Sequence, residues 1–190
     1  MNPVRCAAIL AGGKSSRMGR DKALIPLDGQ SLVSRSARLL ETLFERVVVV
    51  SNSEPVAQAA GLPRIADAHQ NKGPLAGIEA ALRHFGEPTL FVACDCPFLN
   101  AGFLAFLREG WQGDLDALVP QSDNGIEPLH AIWSPSGLPA IENALEQERP
   151  PSLRYVLEGL RVQFVSVEEA RRFDDSLSMF ENWNAPEDLR

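Results

Sequence analysis

Cysteine is scarce in this chain of 190 residues: Cys6, Cys94 and Cys96 are an odd number, spread too thinly for a disulfide framework. They are expected to be small core residues in a reducing compartment, and a zinc site built on them lacks a fourth ligand at any workable spacing. No run of about 18 apolar residues occurs, so no segment is expected to cross a membrane. The start, Met1-Asn2-Pro3-Val4-Arg5, leads straight into an apolar strand, and a cytoplasmic location is expected. Positive charge is short as well. Against 25 Asp and Glu stand 18 Lys and Arg, a net charge of -7, which excludes a nucleic-acid groove built on bulk positive charge. Lysine occurs only at Lys14, Lys22 and Lys72, and His69, His84 and His130 are scattered without a Ser/His/Asp signature. No linker, repeat or low-complexity stretch divides the chain, and its length suits one domain spanning residues 1–190. No heptad or exposed apolar stripe calls for a partner helix, and a monomer is expected.

The scarce positive charge is concentrated. Lys14, Arg17, Arg20 and Lys22 fall within one loop that follows the apolar run Ala7-Ala8-Ile9-Leu10. That run reads as a buried strand, so Gly12 and Gly13 stand just beyond its carboxyl end, where open α/β sheets bind ligands. Glycines there let the backbone approach a ligand closely, and their N–H groups can face an anion. A polyphosphate is the simplest ligand for such a loop. Gly13-Lys14-Ser15 looks like the end of a P-loop, but the first glycine of that pattern would fall at Ala8, inside the strand. The dinucleotide pattern G-x-G-x-x-G is not satisfied either.

Downstream, apolar segments alternate between strand and helix character. Asp28-Gly29 marks a turn, Ser31 caps a helix with Leu32, Ser36, Leu39, Leu40 and Leu43 on one face, and Arg46 to Val50 reads as a strand covered on both sides. A βαβ unit results, with a right-handed crossover. Ser51-Asn52 ends this strand. A short helix over Pro55 to Ala60 leads to a third strand at Arg64 to Ala66, ending in Asp67. Gly73-Pro74-Leu75-Ala76-Gly77 opens a helix whose free N–H groups offer a second anion site, with His84 on its exposed face. Thr89 to Asp95 is a fourth strand with Asp95 at its tip, where a carboxylate beside bound phosphates suits Mg²⁺. If the chain stays extended here, Cys94 and Cys96 point away from that carboxylate. Further strands are expected at Ala117 to Pro120, Glu127 to Trp133, Val162 to Val167 and Phe180 to Trp183, with helices over Ala101 to Glu109, through Leu138, Ile141 and Leu145, and after the cap Ser152. Regular pleating would put Asn182 and Asn184 on one face, before a terminal helix opening at Pro186.

Leu10, Gly12, Gly13, Arg17, Met18, Gly19, Asp21 and Lys22 all occupy their places in L-A-G-G-x-x-x-R-M-G-x-D-K. The chain thereby resembles the MobA family of nucleotidyltransferases, the molybdenum cofactor guanylyltransferases. Cys94-Asp95-Cys96-Pro97 is similar to that family's C-D-x-P segment, Gly73 to Gly77 to its G-P-L-A-G, and Pro128-Leu129-His130-Ala131 to its acceptor-side P-L-x-A. Asn182-Trp183-Asn184-Ala185-Pro186-Glu187 resembles N-x-N-T-P-E, with Ala185 in place of Thr. The resemblance implies a Rossmann-like three-layer α/β/α domain with a mostly parallel central sheet. It implies transfer of GMP from GTP to molybdopterin with Mg²⁺ as cofactor, and release of pyrophosphate. Leu10, Ala11, Gly12, Gly13, Lys22, Asn52, Asp67 and Asp95 would bind GTP, Lys22, Asp95 and Arg17 would act in catalysis, and Asp95 would hold the metal. Asn182 and Asn184 would face the pterin. Ser51 could take the place of Asn52 by a shift of one residue, and the role of His130 stays open. A molybdenum-inserting protein or a chaperone of a target molybdoenzyme would be a protein partner. Cytidylyltransferases acting on the same pterin carry L-A-A-G at the glycine turn, which favours GTP here. Transfer to a sugar phosphate and a non-catalytic escort of the cofactor are the remaining alternatives.

Overall fold

Strand β1 (Cys6–Leu10) is buried along its whole length in a computed structural model that describes residues 3–12, 21–67, 69, 72–150 and 152–183. After one turn of 3₁₀ helix at Lys22–Leu24 come β2 (Pro26–Leu27), β3 (Gln30–Ser31), α1 (Leu32–Glu41), β4 (Arg46–Val50), α2 (Glu54–Ala60) and β5 (Arg64–Ile65). Next are α3 (Pro74–Phe85), β6 (Thr89–Ala93), α4 (Ala101–Gly110), β7 (Ala117–Ser122), β8 (Gly125–Ile126) and β9 (Ile132–Trp133). The chain closes with α5 (Leu138–Glu146), α6 (Leu153–Glu158), β10 (Val162–Val165) and α7 (Val167–Arg171). Gly13, Lys14, Arg17, Met18, Gly19, Arg20, Asn184 and the expected terminal helix lie outside the described residues.

The main sheet runs β10-β7-β9-β6-β1-β4-β5, with β8 paired to β7. Only β9 runs antiparallel to both neighbours in this series. Alternation along β1 sorts the two cores. Ala7 and Ile9 face one layer with residues of α1, α2, α4 and α7, while Cys6, Ala8 and Leu10 face the other with α3, α5 and α6. A mostly parallel sheet between two helical layers is the expected α/β/α architecture. Strands wet on neither face carry apolar residues at every position, which is why Val47 to Val50 show no polar alternation.

Local chemistry sets the connections. Asp28 and Gly29 both have positive φ, the geometry of a two-residue hairpin between β2 and β3. Ser31 caps α1 by accepting the Ser34 N–H. At the sheet's far edge the Arg161 guanidinium donates twice to the Asp116 carboxylate and holds it well below the usual carboxylate range, tying the start of β10 to β7. The first turn of α3 packs so closely on the sheet that a Cβ on Gly77 would stand 2.9 Å from Leu10 Cδ2. Gly73, its cap, has φ 71° and ψ -161°, a region glycine alone occupies comfortably. No described atom lies within 4 Å of where its Cβ would stand, so the penalty for Gly73→Ala is backbone strain alone. That substitution is expected to lower stability by about 1–3 kcal/mol, read from denaturant unfolding.

Four expectations are corrected. Phe180 to Trp183 is not a strand: Ser178–Phe180 forms a 3₁₀ turn and residues 181–183 are irregular, because Met179 and Phe180 are buried together where a pleated chain would separate them. Glu127 to Ala131 is a turn rather than extended, closed by the His130 N–H on the Glu127 carbonyl and braced by Trp133 Nε1 on the Pro128 carbonyl. The strand at 162 stops at Val165, since Ser166 and Glu169 form a reciprocal capping box that starts α7. Finally, β6 stops at Ala93 and the chain turns at Cys94 and Asp95, so Cys96 is buried and Cys94 half-buried rather than both sharing one face of an extended strand.

Candidate active site

Register brings four strand ends into line. Leu10 pairs with Val50 on one side and Ala93 on the other, and Val50 pairs with Ile65. Backbone bonds carry this one residue further: the Ala11 N–H donates to the Val50 carbonyl at 2.9 Å, Ser51 to Ile65 at 3.0 Å, and Cys94 to Leu10 at 3.1 Å. Past these bonds the chains part. Gly12, Asn52, Asp67 and Asp95 therefore emerge at one edge, in the spatial order Asp95, Gly12, Asn52, Asp67. No described atom lies within 4 Å of the Gly12 Cβ position.

Lys22 returns to this edge from the far end of the glycine loop. Asp21 accepts the Ala23 N–H at 3.2 Å and starts the 3₁₀ turn, while Ala23 and Ile25 are buried and anchor it. The result puts Lys22 Nζ 3.9 Å from Asp95 Oδ2, both side chains about a quarter exposed. Burial raises the Asp95 carboxyl above its ordinary value and the Lys22 charge pulls it back. Among the described residues no three His, Cys, Asp or Glu side chains gather into a metal cluster. Mg²⁺ accepts a single carboxylate when phosphate oxygens and water complete its shell, and Asp95 is the carboxylate here that could hold it.

The other predicted residues are distributed along the edge. Asn52 is exposed, whereas Ser51 is buried and its hydroxyl accepts the Ser53 N–H, which leaves Asn52 the more available of the two. Asp67 lies three strand spacings from Asp95, about 14 Å, too far to share an ion with it. Its buried Oδ1 has no hydrogen-bond partner among the described residues, an arrangement that a donor on a ligand would relieve. The N-terminus of α3 opens at the same edge, since its Gly77 packs on the last residues of β1 and β4.

On the opposite flank of Asp95 the segment at 181–183 folds back. The Trp183 N–H donates to the Asp95 carbonyl at 2.9 Å, and Cys96 Sγ donates to Asn182 Oδ1 at 3.1 Å. Asn182 thus braces the turn that carries Asp95 while lining a cavity of about 640 Å³. Glu127 and Trp183 line it too, and neither stands out from spacing alone. His130, left open above, is buried against the Phe180 ring at 5.2 Å between centroids, away from solvent.

A mostly parallel sheet flanked by helices on both faces is the fold of the Rossmann-like nucleotidyltransferases. The chain belongs to the family described as "MobA-like NTP transferase domain", whose model matches residues 7–164. It is 33% identical to a "Probable molybdenum cofactor guanylyltransferase" of Peptoclostridium acidaminophilum, covering 97% of this chain and 86% of that one. Identity is also 33% to a "Molybdenum cofactor guanylyltransferase" of Syntrophotalea carbinolica, covering 96% and 88%. Among solved structures, "Molybdopterin-guanine dinucleotide biosynthesis protein A" from Archaeoglobus fulgidus matches with a TM-score of 0.83 and 34% identity, over 96% of this chain and 94% of that one.

Proposed function

We propose that this chain, acting as a single monomeric domain, transfers GMP from GTP to the terminal phosphate of molybdopterin, giving the guanine dinucleotide form and pyrophosphate. The observation that carries the proposal is the approach of Lys22 Nζ to Asp95 Oδ2 at 3.9 Å, beside the turn at Gly12. Relatives at 33% identity named as molybdenum cofactor guanylyltransferases supply the substrate pair.

A terminal phosphate oxygen of the pterin attacks the α-phosphorus of GTP in line. A P–O bond forms there as the bond from the α-phosphorus to the bridging oxygen breaks, and that oxygen leaves with pyrophosphate. The attacking oxygen is already anionic, so no strong base is needed. Positioning and charge supply the catalysis. Lys22 holds phosphate oxygens as negative charge grows on them, and the Gly12 backbone leaves room for the triphosphate. Asp95 would hold Mg²⁺, which when bound offsets charge on the α-phosphate and on departing pyrophosphate. Arg17 and Gly13, in the same stretch of sequence, would complete the phosphate contacts. Asn52 and Asp67 receive the nucleoside, Asp67 through the buried oxygen that lacks a partner among the described residues. Asn182, on the cavity wall, and Asn184 would contact the pterin.

Pyrophosphate release tests this directly. With Mg²⁺ and molybdopterin, GTP is expected to support turnover and CTP to support it at least about tenfold less well. Equal or better turnover with CTP would make the chain a cytidylyltransferase. No release with either nucleotide would leave an escort rather than an enzyme.

A further inference from the structure

The cavity beside Asp95 has a chemical character opposite to that of the glycine loop. Glu127 and Glu181 line it together with Phe180, Asn182 and Trp183. Phosphate groups belong with Lys22, whereas a neutral ring rich in N–H donors suits these carboxylates. Trp183 packs edge-on against exposed Phe98 at 5.8 Å, so indole surface borders the space. The cavity wall is tied to the reacting edge, since the Trp183 N–H donates to the Asp95 carbonyl.

Glu127 is built into its place. Its N–H donates to the Pro120 carbonyl at 2.8 Å, following the β7–β8 hairpin, and its Oε1 accepts the Ser122 hydroxyl at 2.6 Å. Among the described residues the carboxylate has no further hydrogen bond and no cationic partner, although it is half-buried. Each carboxylate oxygen can accept more than one bond, so both remain able to receive a pair of parallel donors. Burial pushes its carboxyl above the ordinary range, the mark of a charge that the protein itself does not compensate.

We propose that Glu127 is a specificity-determining residue that receives the 2-amino-4-oxopyrimidine edge of the acceptor's pterin ring. The ring N3–H and the 2-amino group present two donors side by side, the complement of one carboxylate. The acceptor is then bound in one direction only. Its ring lies between Glu127 and Trp183, and its phosphate reaches toward Lys22 and Asp95. This inference rests on the proposed reaction and adds to it the group that reads the acceptor.

The test compares wild type with Glu127→Gln and Glu127→Ala. Gln keeps an oxygen to accept the Ser122 hydroxyl, so the hairpin stays braced while one acceptor site becomes a donor. Pyrophosphate release is expected to show the KM for molybdopterin raised about tenfold to a hundredfold in both variants, with the KM for GTP unchanged. Fluorescence titration of a 6-substituted pterin against the matching lumazine, in which oxygen replaces the 2-amino group, gives the second readout. Wild type is expected to prefer the pterin by at least about tenfold, and Glu127→Gln to lose that preference. A structural role for Glu127 would not alter this ratio. Inactive wild type would overturn the proposed function. Active wild type with an unchanged preference in Glu127→Gln would overturn only the role of Glu127.

Discussion

Lys22→Ala is expected to lower kcat/KM for GTP by about 100- to 1,000-fold, the usual consequence of removing one preorganised cationic contact to a reacting phosphate. Stability is expected to change little. Lys22 and Asp95 are 3.9 Å apart and each about a quarter exposed, and a pair so placed contributes about 0–1 kcal/mol. Unfolding midpoints measured beside turnover separate the two effects. Asp95→Asn keeps the shape and the Trp183 bond to the Asp95 backbone carbonyl but removes the charge, and its turnover is expected to fall by a similar factor. Raising Mg²⁺ should recover part of that loss and none of the loss in Lys22→Ala. The double variant should lose less than the product of the two single losses, because both groups act on one phosphate and their effects couple. Near-normal turnover in either single variant would remove that residue from the mechanism.

What was legible in the sequence divides by the range of the physics. β1, β4 and β6 were visible because a strand buried on both faces must be apolar throughout, and the loops that follow three parallel neighbours necessarily share an edge. Hence Gly12, Asn52 and Asp95 are expected at one edge from the sequence, and Asp67 joins them because β5 runs parallel to β4. Short elements were lost to stronger local neighbours. The capping box at Ser166 and Glu169 starts a helix of only five residues, too short to interrupt the apolar pattern from Val162 to Val167. The tail at 178–183 carries apolar residues that resemble a strand, yet its backbone partners are chosen by the turn at Asp95, a contact 88 residues away that no periodicity encodes. Glu127 and Trp183 were invisible as a pair for the same reason. They meet in the cavity only because the β7–β8 hairpin and the returning tail approach the same flank.

His130 makes the protein's stability depend on pH in a window separate from that of its carboxylates. Burial lowers its pKa from 6.5 to about 4, since the imidazolium would lose water and gain no compensating charge. Between those two values the unfolded chain binds a proton at this position and the folded chain does not. Unfolding therefore takes up a proton, and stability falls as pH falls. The full contribution is present above the unfolded pKa and declines by about 3 kcal/mol between pH 7 and pH 4. Other groups act in the same region and must be subtracted. Glu127, whose carbonyl accepts the His130 N–H, has a raised carboxyl pKa and so favours the fold as pH falls, opposing His130. Asp116 is held far below its usual range by Arg161, so its contribution is lost only below about pH 4. Urea unfolding of wild type and His130→Leu at pH 7, 5.5 and 4.5 isolates the histidine, because the other groups cancel in the difference. Leucine fills similar space against Phe180 and does not titrate. The variant's stability relative to wild type is expected to rise steadily from pH 7 to pH 4.5, by about 2–3 kcal/mol. A difference that stays flat across this range would mean that the folded protein takes up the proton at an ordinary pKa, and that the ring is reached by water or a partner charge.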